Sequence, residues 1–190
     1  MSTVAMAPSL VVQDLALSFG GIQVLQGIAL QMRAGEITGL IGPNGAGKTS
    51  FFNCLTGLYA PQQGSMRLGD IGLGGIAPTG RAALGFSRSF QHVALCPELS
   101  VAENVMIGLD RQSAAGWLDA FLPLPRGRRE RARHRELALA ALARLGIAQV
   151  ADEAPASLPP GVLRLAEIAR AIAGAPRVLL LDEPAAGLNS

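Results

Sequence analysis

The chain has 190 residues, of which 49% are hydrophobic and 16% charged, and its formal net charge is +2. This composition excludes a disordered chain, and no apolar run reaches the roughly 18–20 residues of a membrane-spanning helix. The N-terminus has no signal-peptide pattern, and Cys54 and Cys96 have no metal-ligand spacing and form no disulfide framework. We therefore expect one domain with both cysteines reduced. It is expected to be soluble, or attached to a membrane only through a partner.

The first elements read as strands followed by a loop and a helix. Apolar and polar residues alternate over residues 10–19 and 22–30, and Gly20-Gly21 lies between them. This pattern predicts two antiparallel strands joined by a glycine turn. A short apolar strand is then predicted over Ile37–Ile41, followed by a glycine-rich loop and a helix over Lys48–Leu58. A strand, a glycine loop and a helix in this order open an α/β nucleotide-binding fold.

The remainder of the chain alternates between glycine-rich and helical segments. Residues 64–80 are rich in glycine and predict mostly loop and short strand. Ser100 and Glu103 form a capping box, at which we expect a helix to begin. The later predicted elements are one long helix that includes residues 126–135 and ends at Gly146, a helix over Val162–Ala173 and a fully buried strand over Val178–Leu181.

This order of elements predicts an α/β fold with an antiparallel β part and an inserted helical subdomain. We expect a single domain over residues 1–190. Its α/β core would comprise residues 1–90 and 177–190, its helical subdomain about residues 91–160, and one further helical segment residues 161–176.

The glycine loop fits the pattern G-x-x-x-x-G-K-[ST] completely. Glycines let backbone N–H groups turn inward around phosphate oxygens, Lys48 adds a positive charge at the β- and γ-phosphates, and the Thr49 hydroxyl is placed to ligate Mg²⁺. The alternative is a glycine turn that ends in Lys-Thr by coincidence, which the flanking strand and helix disfavour. The residues predicted to hold the nucleotide are Gly42, Pro43, Asn44, Gly45, Ala46, Gly47, Lys48, Thr49 and Ser50.

Two carboxylates follow the last predicted strand. Because α/β sheets bind ligands at the carboxyl ends of their strands, Asp182 is predicted to reach Mg²⁺ there. Glu183 is placed to polarise a water molecule aimed at the γ-phosphate. The alternative is a pair of solvated acids at a turn before Pro184, which the presence of the glycine loop disfavours.

Together these motifs resemble the ATPase of ATP-binding cassette (ABC) transporters, and the resemblance covers nearly the whole chain. It implies a P-loop ABC ATPase fold, ATP and Mg²⁺ as cofactors, and catalytic roles for Lys48, Gln91 and Glu183. Gln91 is implied to sense Mg²⁺ and the γ-phosphate and to mark the start of the helical subdomain. Phe19 is implied to stack on adenine, with a place in the strand core as the equal alternative.

Three further stretches are similar to the ATPase subunits of branched-chain amino-acid importers: Pro97–Val101, Glu103–Gly108 and Ala185–Asn189. The similarity implies solute uptake driven by MgATP, with a second ABC ATPase subunit and transmembrane permease subunits as partners. The second subunit could be identical or different. The protein would then be cytoplasmic and peripheral on the inner face of the plasma membrane. The alternatives are a truncated cassette that binds ATP with little or no hydrolysis, and a soluble ABC ATPase without a transport role.

The chain departs from the family in two places. The family signature Leu-Ser-x-Gly-Gln is matched by Leu158–Val162, where Pro159 replaces the serine and Val162 the glutamine. Since proline has neither a hydroxyl nor an N–H group, we expect weaker closure of a nucleotide site shared between two subunits. The sequence also ends seven residues after Glu183, before the family's switch histidine and the last part of its fold. We therefore expect a truncated product or a fragment that binds ATP, and efficient hydrolysis is an open question.

Two other stretches have less specific interpretations. Residues 126–135 hold six arginines without interleaved aromatic residues, which predicts a solvated helix face rather than a nucleic-acid interface. Contact with anionic lipid or with nucleic acid remains the alternative. The aromatic patch at Trp117–Leu122 predicts core of the helical subdomain, with a groove for a membrane subunit as its alternative.

Overall fold

A computed structural model gives the fold of residues 9–89, 95–109 and 125–184. The chain divides into two units, Met1–Leu84 and Gly85–Ser190. Within the described residues, none of the helices combines the length and the apolar character needed to cross a bilayer. The predicted domain boundaries remain a prediction.

The first unit is built on a four-stranded antiparallel sheet with the strand order β2-β1-β3-β4. Gly20 and Gly21 join the first two strands at φ angles of 53° and 83°, which confirms the predicted hairpin. The strands are β1 (Leu10–Phe19), β2 (Ile22–Met32), β3 (Gln63–Leu68) and β4 (Ile71–Gly72).

A bulge keeps the apolar face of β1 buried. The apolar residues Val12 and Leu15 are three positions apart, so a regular strand would place them on opposite faces. The register of β1 against β2 shifts between these two residues, and Asp14 adopts a φ of 49°. The extra residue restores the inward direction of the strand, and both side chains are at most 1% exposed.

The helix α1 (Lys48–Thr56) follows the glycine loop and buries Phe51, Cys54 and Leu55. It ends at Gly57, which adopts a φ of 80°. Glycine takes this left-handed conformation without the steric cost that other residues meet. The helix was predicted to continue to Leu58, so the glycine cap ends it two residues early.

The short helix α2 (Pro78–Ala83) places a buried arginine at the end of α1. The Arg81 guanidinium donates hydrogen bonds to the carbonyls of Cys54 and Leu55, the latter at 2.7 Å. It also donates to Leu73 O at 2.8 Å and to Ile76 O at 3.1 Å. Burial lowers the pKa of Arg81 from that of a solvated guanidinium. A cation at this place matches the negative end of the α1 dipole.

The prediction of a strand over Ile37–Ile41 is wrong for the described structure. These residues have no strand geometry and belong to no ladder of the described sheets. Ile37 is 99% and Ile41 95% exposed. Apolar composition favours a strand only where a neighbouring strand supplies hydrogen bonds and covers the side chains. No described strand does so here.

The second unit combines a small parallel sheet with helices. Phe86 pairs with Val178, Ser87 with Leu179 and Arg88 with Leu180. Of these two strands, only the one over residues 178–180 was predicted. In chain order, the elements are β5 (Phe86–Arg88), α3 (Val101–Ile107), α4 (Pro125–Arg144), 3₁₀ turns at Ala148–Val150 and Pro155–Ser157, α5 (Pro160–Ala173) and β6 (Val178–Leu180).

The helices α3, α4 and α5 pack against one another. The predicted capping box starts α3, since Glu103 N–H donates to Ser100 Oγ at 3.3 Å and Ser100 N–H donates to Glu103 Oε2 at 3.0 Å. The turn after α4 contains Gly146 at a φ of 72°, close to the predicted helix end. The core between the helices is formed by Val101, Ala102, Val105, Ala138, Ala141, Leu142, Ile147, Ala151, Ala166 and Ala169.

The arginine-rich part of α4 is largely exposed. Arg131 lies 3.4 Å from a Glu103 carboxylate oxygen, and Arg135 lies 2.7 Å from one of Asp152. Arg128, Arg129 and Arg133 are exposed as well. The solvated-face interpretation agrees with this exposure and stays a prediction. The patch at Trp117–Leu122 lies outside the described residues.

Both cysteines have free thiols. Cys54 is fully buried in α1, where burial raises the pKa of its thiol. The Cys96 thiol lies 3.0 Å from Glu98 Oε2, and a hydrogen bond to that carboxylate raises the pKa of Cys96. A raised pKa keeps both sulfurs protonated and unreactive near neutral pH.

Candidate nucleotide-binding site

The glycine loop of the first unit has a backbone that only glycine accommodates at two positions. Gly45 has a φ of 83° and Gly47 a φ of 84°. A Cβ atom at Gly47 would lie 2.8 Å from Val24 O and 2.9 Å from Leu25 Cδ2. The contact with a backbone oxygen cannot be relieved by a side-chain rotation. Gly47 is therefore favoured by the space around it as well as by its φ angle, whereas Gly45, which has open space around it, is favoured by its φ angle alone.

The N-terminus of α1 is open for an anion. Gly47 is its N-cap and supplies no side-chain hydrogen bond, and the first turn of the helix holds no acidic residue. The first N–H groups and the positive end of the helix dipole are thus unopposed by a carboxylate. This arrangement fits a phosphate group.

Lys48 folds back over the loop that precedes it. Its ammonium group donates hydrogen bonds to Gly42 O at 2.6 Å and to Pro43 O at 2.8 Å. The positive charge is thus held over the loop, where bound phosphate oxygens would need it. Thr49 is exposed at the start of α1, so its hydroxyl is available to a ligand.

The other predicted loop residues surround this centre. Asn44 and Ala46 are exposed and Ser50 is half-buried. Ala46 N–H donates to Pro43 O at 3.2 Å, which closes a turn within the loop. The structure thus gathers the predicted phosphate-binding stretch into one loop at the head of α1.

Phe19 lies at the end of β1 and is 46% exposed. Its ring centroid is 5.1 Å from that of Tyr59, at an interplanar angle of 74°. This exposure does not match a core residue, so the alternative of a strand core position has no support. Stacking on adenine stays a prediction, and Tyr59 is an aromatic neighbour that sequence reasoning missed.

The acidic pair of the second unit follows β6, as predicted. Asp182 is buried, and its N–H donates to Ser89 Oγ at 3.2 Å. Ser89 N–H in turn donates to Leu180 O at 3.0 Å. These two bonds extend the parallel ladder beyond its last strand pair, and they fix the backbone that carries the carboxylate.

An arginine holds the Asp182 carboxylate. Arg88 Nη2 lies 3.2 Å from Asp182 Oδ2, and both side chains are 9% exposed. This contact is made through Oδ2, so Oδ1 is the oxygen that would serve a second ligand. A carboxylate oxygen of this kind suits Mg²⁺. Arg88 was missed by sequence reasoning, because nothing in the sequence pairs it with a residue ninety positions away.

Glu183 is exposed, and its backbone has a φ of 46°. The carbonyls of Asp182 and Glu183 both accept hydrogen bonds from Arg164 Nη2, the second at 3.0 Å. Arg164 Nη1 donates to Glu167 Oε2 at 2.6 Å. An arginine and a glutamate three residues apart in a mostly apolar helix were the sequence signal of this contact. Gln91 lies outside the described residues, so its predicted roles stay predictions.

The stretch that matches the family signature caps α5 without a side-chain acceptor. Pro159 is the N-cap residue, and it makes no side-chain hydrogen bond. Its carbonyl accepts from the N–H groups of Val162 and Leu163 at 3.0 and 3.1 Å. A serine at this position would add a side-chain oxygen that accepts from the first helical turn. The first turn of α5 therefore has no side-chain oxygen from Pro159 to accept its N–H groups.

Comparison with known proteins places the chain among transport ATPases. A family model described as "ABC transporter" matches residues 25–186. The high-affinity branched-chain amino acid transport ATP-binding protein LivG of Salmonella typhimurium is 41% identical over 182 residues, which are 96% of this chain and 71% of the relative. The corresponding protein BraF of Pseudomonas aeruginosa is 37% identical over the same shares of the two chains.

A solved structure shares the fold. The nucleotide-free ATP-binding cassette of an ABC transporter superposes with a TM-score of 0.78 at 26% identity, over 96% of this chain and 71% of that one. The ADP conformation of such a cassette gives a TM-score of 0.77 at 27% identity, over 95% and 70%. The predicted fold class is confirmed by these likenesses.

Proposed function

Because this chain belongs to the ABC transporter family, we propose that it is the ATP-binding subunit of an importer and couples the binding and hydrolysis of MgATP to solute uptake. Branched-chain amino acids are the solutes we propose, on the names of the relatives at 41% and 37% identity. The observation that carries the proposal is the glycine cradle, with Lys48 held over it at the head of α1.

The binding roles in this proposal are those that the sequence motifs predict. Backbone N–H groups of residues 44–49 and the Lys48 ammonium hold the phosphates. Thr49, Asp182 and Gln91 serve the metal. Mg²⁺ bound there would neutralise charge on the phosphate oxygens as the terminal phosphoryl group leaves. Phe19 supplies an exposed aromatic face for adenine.

The hydrolytic roles fall to the charged side chains. Glu183 accepts a proton from the attacking water, for which its exposed carboxylate is available. Lys48 stabilises the charge that develops on the terminal phosphate. The partners are a second ABC ATPase subunit, identical or different, and transmembrane permease subunits. The chain works on the cytoplasmic face of the plasma membrane.

The experiment that tests hydrolysis is steady-state ATPase activity of the purified chain beside its Glu183→Gln variant. We expect the variant to lower kcat by about 10²–10⁴-fold, the usual contribution of a general base, while MgATP binding is retained. Glu136→Gln is the matched control, because Glu136 is exposed on α4 and outside the site. Equal activity of wild type and Glu183→Gln would contradict the role of Glu183.

A second candidate function is a cassette that binds ATP with little or no turnover. The observation that favours it is the capping of α5 by Pro159, without a hydroxyl. A wild-type chain that binds MgATP and shows no turnover in the ATPase assay would select this candidate.

The Pro159→Ser variant tests whether the altered signature limits the rate. We expect it to raise the ATPase rate severalfold, since a serine supplies both a hydroxyl and an N–H group where a second subunit closes over the nucleotide. Pro159→Ala is the control, because it restores the N–H group alone. An unchanged rate in Pro159→Ser, measured at saturating MgATP, would show that Pro159 does not limit the reaction.

A further inference from the structure

An ion pair lies fully buried in α5. The side chains of Arg164 and Glu167 are 4% and 1% exposed, and their closest atoms are 2.6 Å apart. Arg170 of the same helix approaches the other Glu167 oxygen at 3.9 Å. Burying charges has a large desolvation penalty, so a buried pair is weak evidence for stabilisation and calls for another reason.

The pair is joined to the acidic strand end by the second nitrogen of the guanidinium. Arg164 Nη1 holds Glu167, and Nη2 donates to the carbonyls of both Asp182 and Glu183. The planar fork of arginine can serve these acceptors together in a fixed geometry. A lysine ammonium cannot reach all three in the same way.

The backbone held by Arg164 is one that a glutamate rarely adopts. Glu183 has a φ of 46°, in the left-handed region where a Cβ atom meets steric resistance. Such a conformation persists when its surroundings hold it, and it is often found at functional positions. Bonds from Arg164 to the Asp182 and Glu183 carbonyls supply that hold on both sides of the strained residue.

We propose that Arg164, oriented by Glu167, is a positioning residue that fixes the backbone of Asp182 and Glu183 and thereby aims the Glu183 carboxylate. The consequence is that α5, which begins next to Pro159, acts on the acidic pair through one side chain. This inference rests on the proposed ATPase function. Neither Arg164 nor Glu167 touches the nucleotide in this scheme.

Kinetics of Arg164→Lys test the proposal, with Arg170→Lys as the matched control on the same helix and with the same carboxylate partner. We expect Arg164→Lys to lower kcat by 10- to 100-fold while its Kd for MgATP stays within about twofold of wild type. Arg170→Lys should keep the wild-type kcat. A folded Arg164→Lys variant with wild-type kcat would overturn the proposal.

Hydrogen–deuterium exchange over residues 178–184 tests the contact of Arg164 with the Asp182 and Glu183 carbonyls independently of ATPase activity. We expect exchange at least threefold faster in Arg164→Lys and unchanged in Arg170→Lys. A wild-type chain without ATPase activity would refute the proposed function, whereas equal exchange in Arg164→Lys and wild type would refute the positioning role.

Glu167→Gln, which keeps the size of the side chain, replaces Arg164→Lys in both experiments if Arg164→Lys does not fold. Unfolding of both variants would overturn the proposal, because the pair would then be structural.

Discussion

The Lys48→Ala variant will bind MgATP about 10²–10⁴-fold more weakly than wild type, because hydrogen bonds to charged groups contribute about 1.5–3 kcal/mol each and the ammonium can serve two phosphate oxygens. The ammonium already lies between the carbonyls of Gly42 and Pro43. Two of its three N–H groups are donated there, so at least one of these hydrogen bonds is exchanged for a phosphate oxygen when the nucleotide enters. Binding is measured by calorimetry or with a fluorescent ATP analogue.

Two comparisons sharpen this test. Lys48→Arg keeps the charge and should recover part of the affinity, since guanidinium is a poorer fit to a site shaped for one point charge. Lys48 is also the single lysine of the chain. Reductive methylation should therefore modify it and the α-amino group alone, and MgATP should protect Lys48 only. Equal labelling with and without MgATP, or an unchanged Kd in Lys48→Ala, would show that the loop does not hold the phosphates.

Elements that depend on neighbouring residues were predictable from the sequence. The hairpin around Gly20-Gly21 and the capping box at Ser100 are set within a few positions of the chain. The glycine loop is equally local, and its required φ angles are visible as glycines at Gly45 and Gly47. The fold class was predicted from the family resemblance, which depends on the motifs and their order along the chain and not on contacts between distant residues.

Elements that depend on distant partners were not predictable in the same way. Phe86–Arg88 is a strand because it pairs with Val178–Leu180, and three residues carry too little pattern to show it. Ile37–Ile41 has the composition of a strand and no described partner, so the prediction failed for the opposite reason. Whether a short apolar segment becomes a strand thus depends on a partner strand, which the segment's own sequence does not show.

The burial of three arginines was also not predicted from the sequence. Arg81, Arg88 and Arg164 are buried or nearly so, yet a sequence pattern places arginines on surfaces by default. What keeps them inside is a set of carbonyls and carboxylates that only the fold brings together. The residues predicted to bind the ligand could thus be found from the sequence. The buried arginines that hold their backbone and side chains in place could not.

Arg81→Met will destabilise the chain by about 3–5 kcal/mol, which is near the upper end of single substitutions. The variant keeps the length of the side chain and removes its donors to the Leu55, Leu73, Ile76 and Cys54 carbonyls. The Cys54 and Leu73 carbonyls keep a backbone donor, from Gly57 N–H at 3.1 Å and Ile76 N–H at 3.2 Å. The Leu55 and Ile76 carbonyls lose the Arg81 donor at about 1–3 kcal/mol each, and recovered hydrophobic burial offsets part of the loss. The α1 dipole also loses its cation.

Urea titration followed by circular dichroism measures this loss, and thermal unfolding should show a midpoint lower by roughly 6–20 °C for a chain of this size. Arg67→Met is the matched control, because Arg67 is exposed on β3 and its side chain donates to Asp70 O at 3.1 Å. A surface change of this kind should stay within about 0.5 kcal/mol.

Arg81→Met also tests whether disorder at the C-terminal end of α1 weakens nucleotide binding at its N-terminal end, where Lys48 lies. Hydrogen exchange in Arg81→Met should rise first at the last turn of α1, near Leu55, whose carbonyl loses the Arg81 donor. If the helix then frays toward Lys48, MgATP affinity falls together with stability, and Arg81→Lys should recover little of either because an ammonium cannot span four carbonyls. Equal stability of Arg81→Met and Arg67→Met would show that the buried guanidinium does not hold α1.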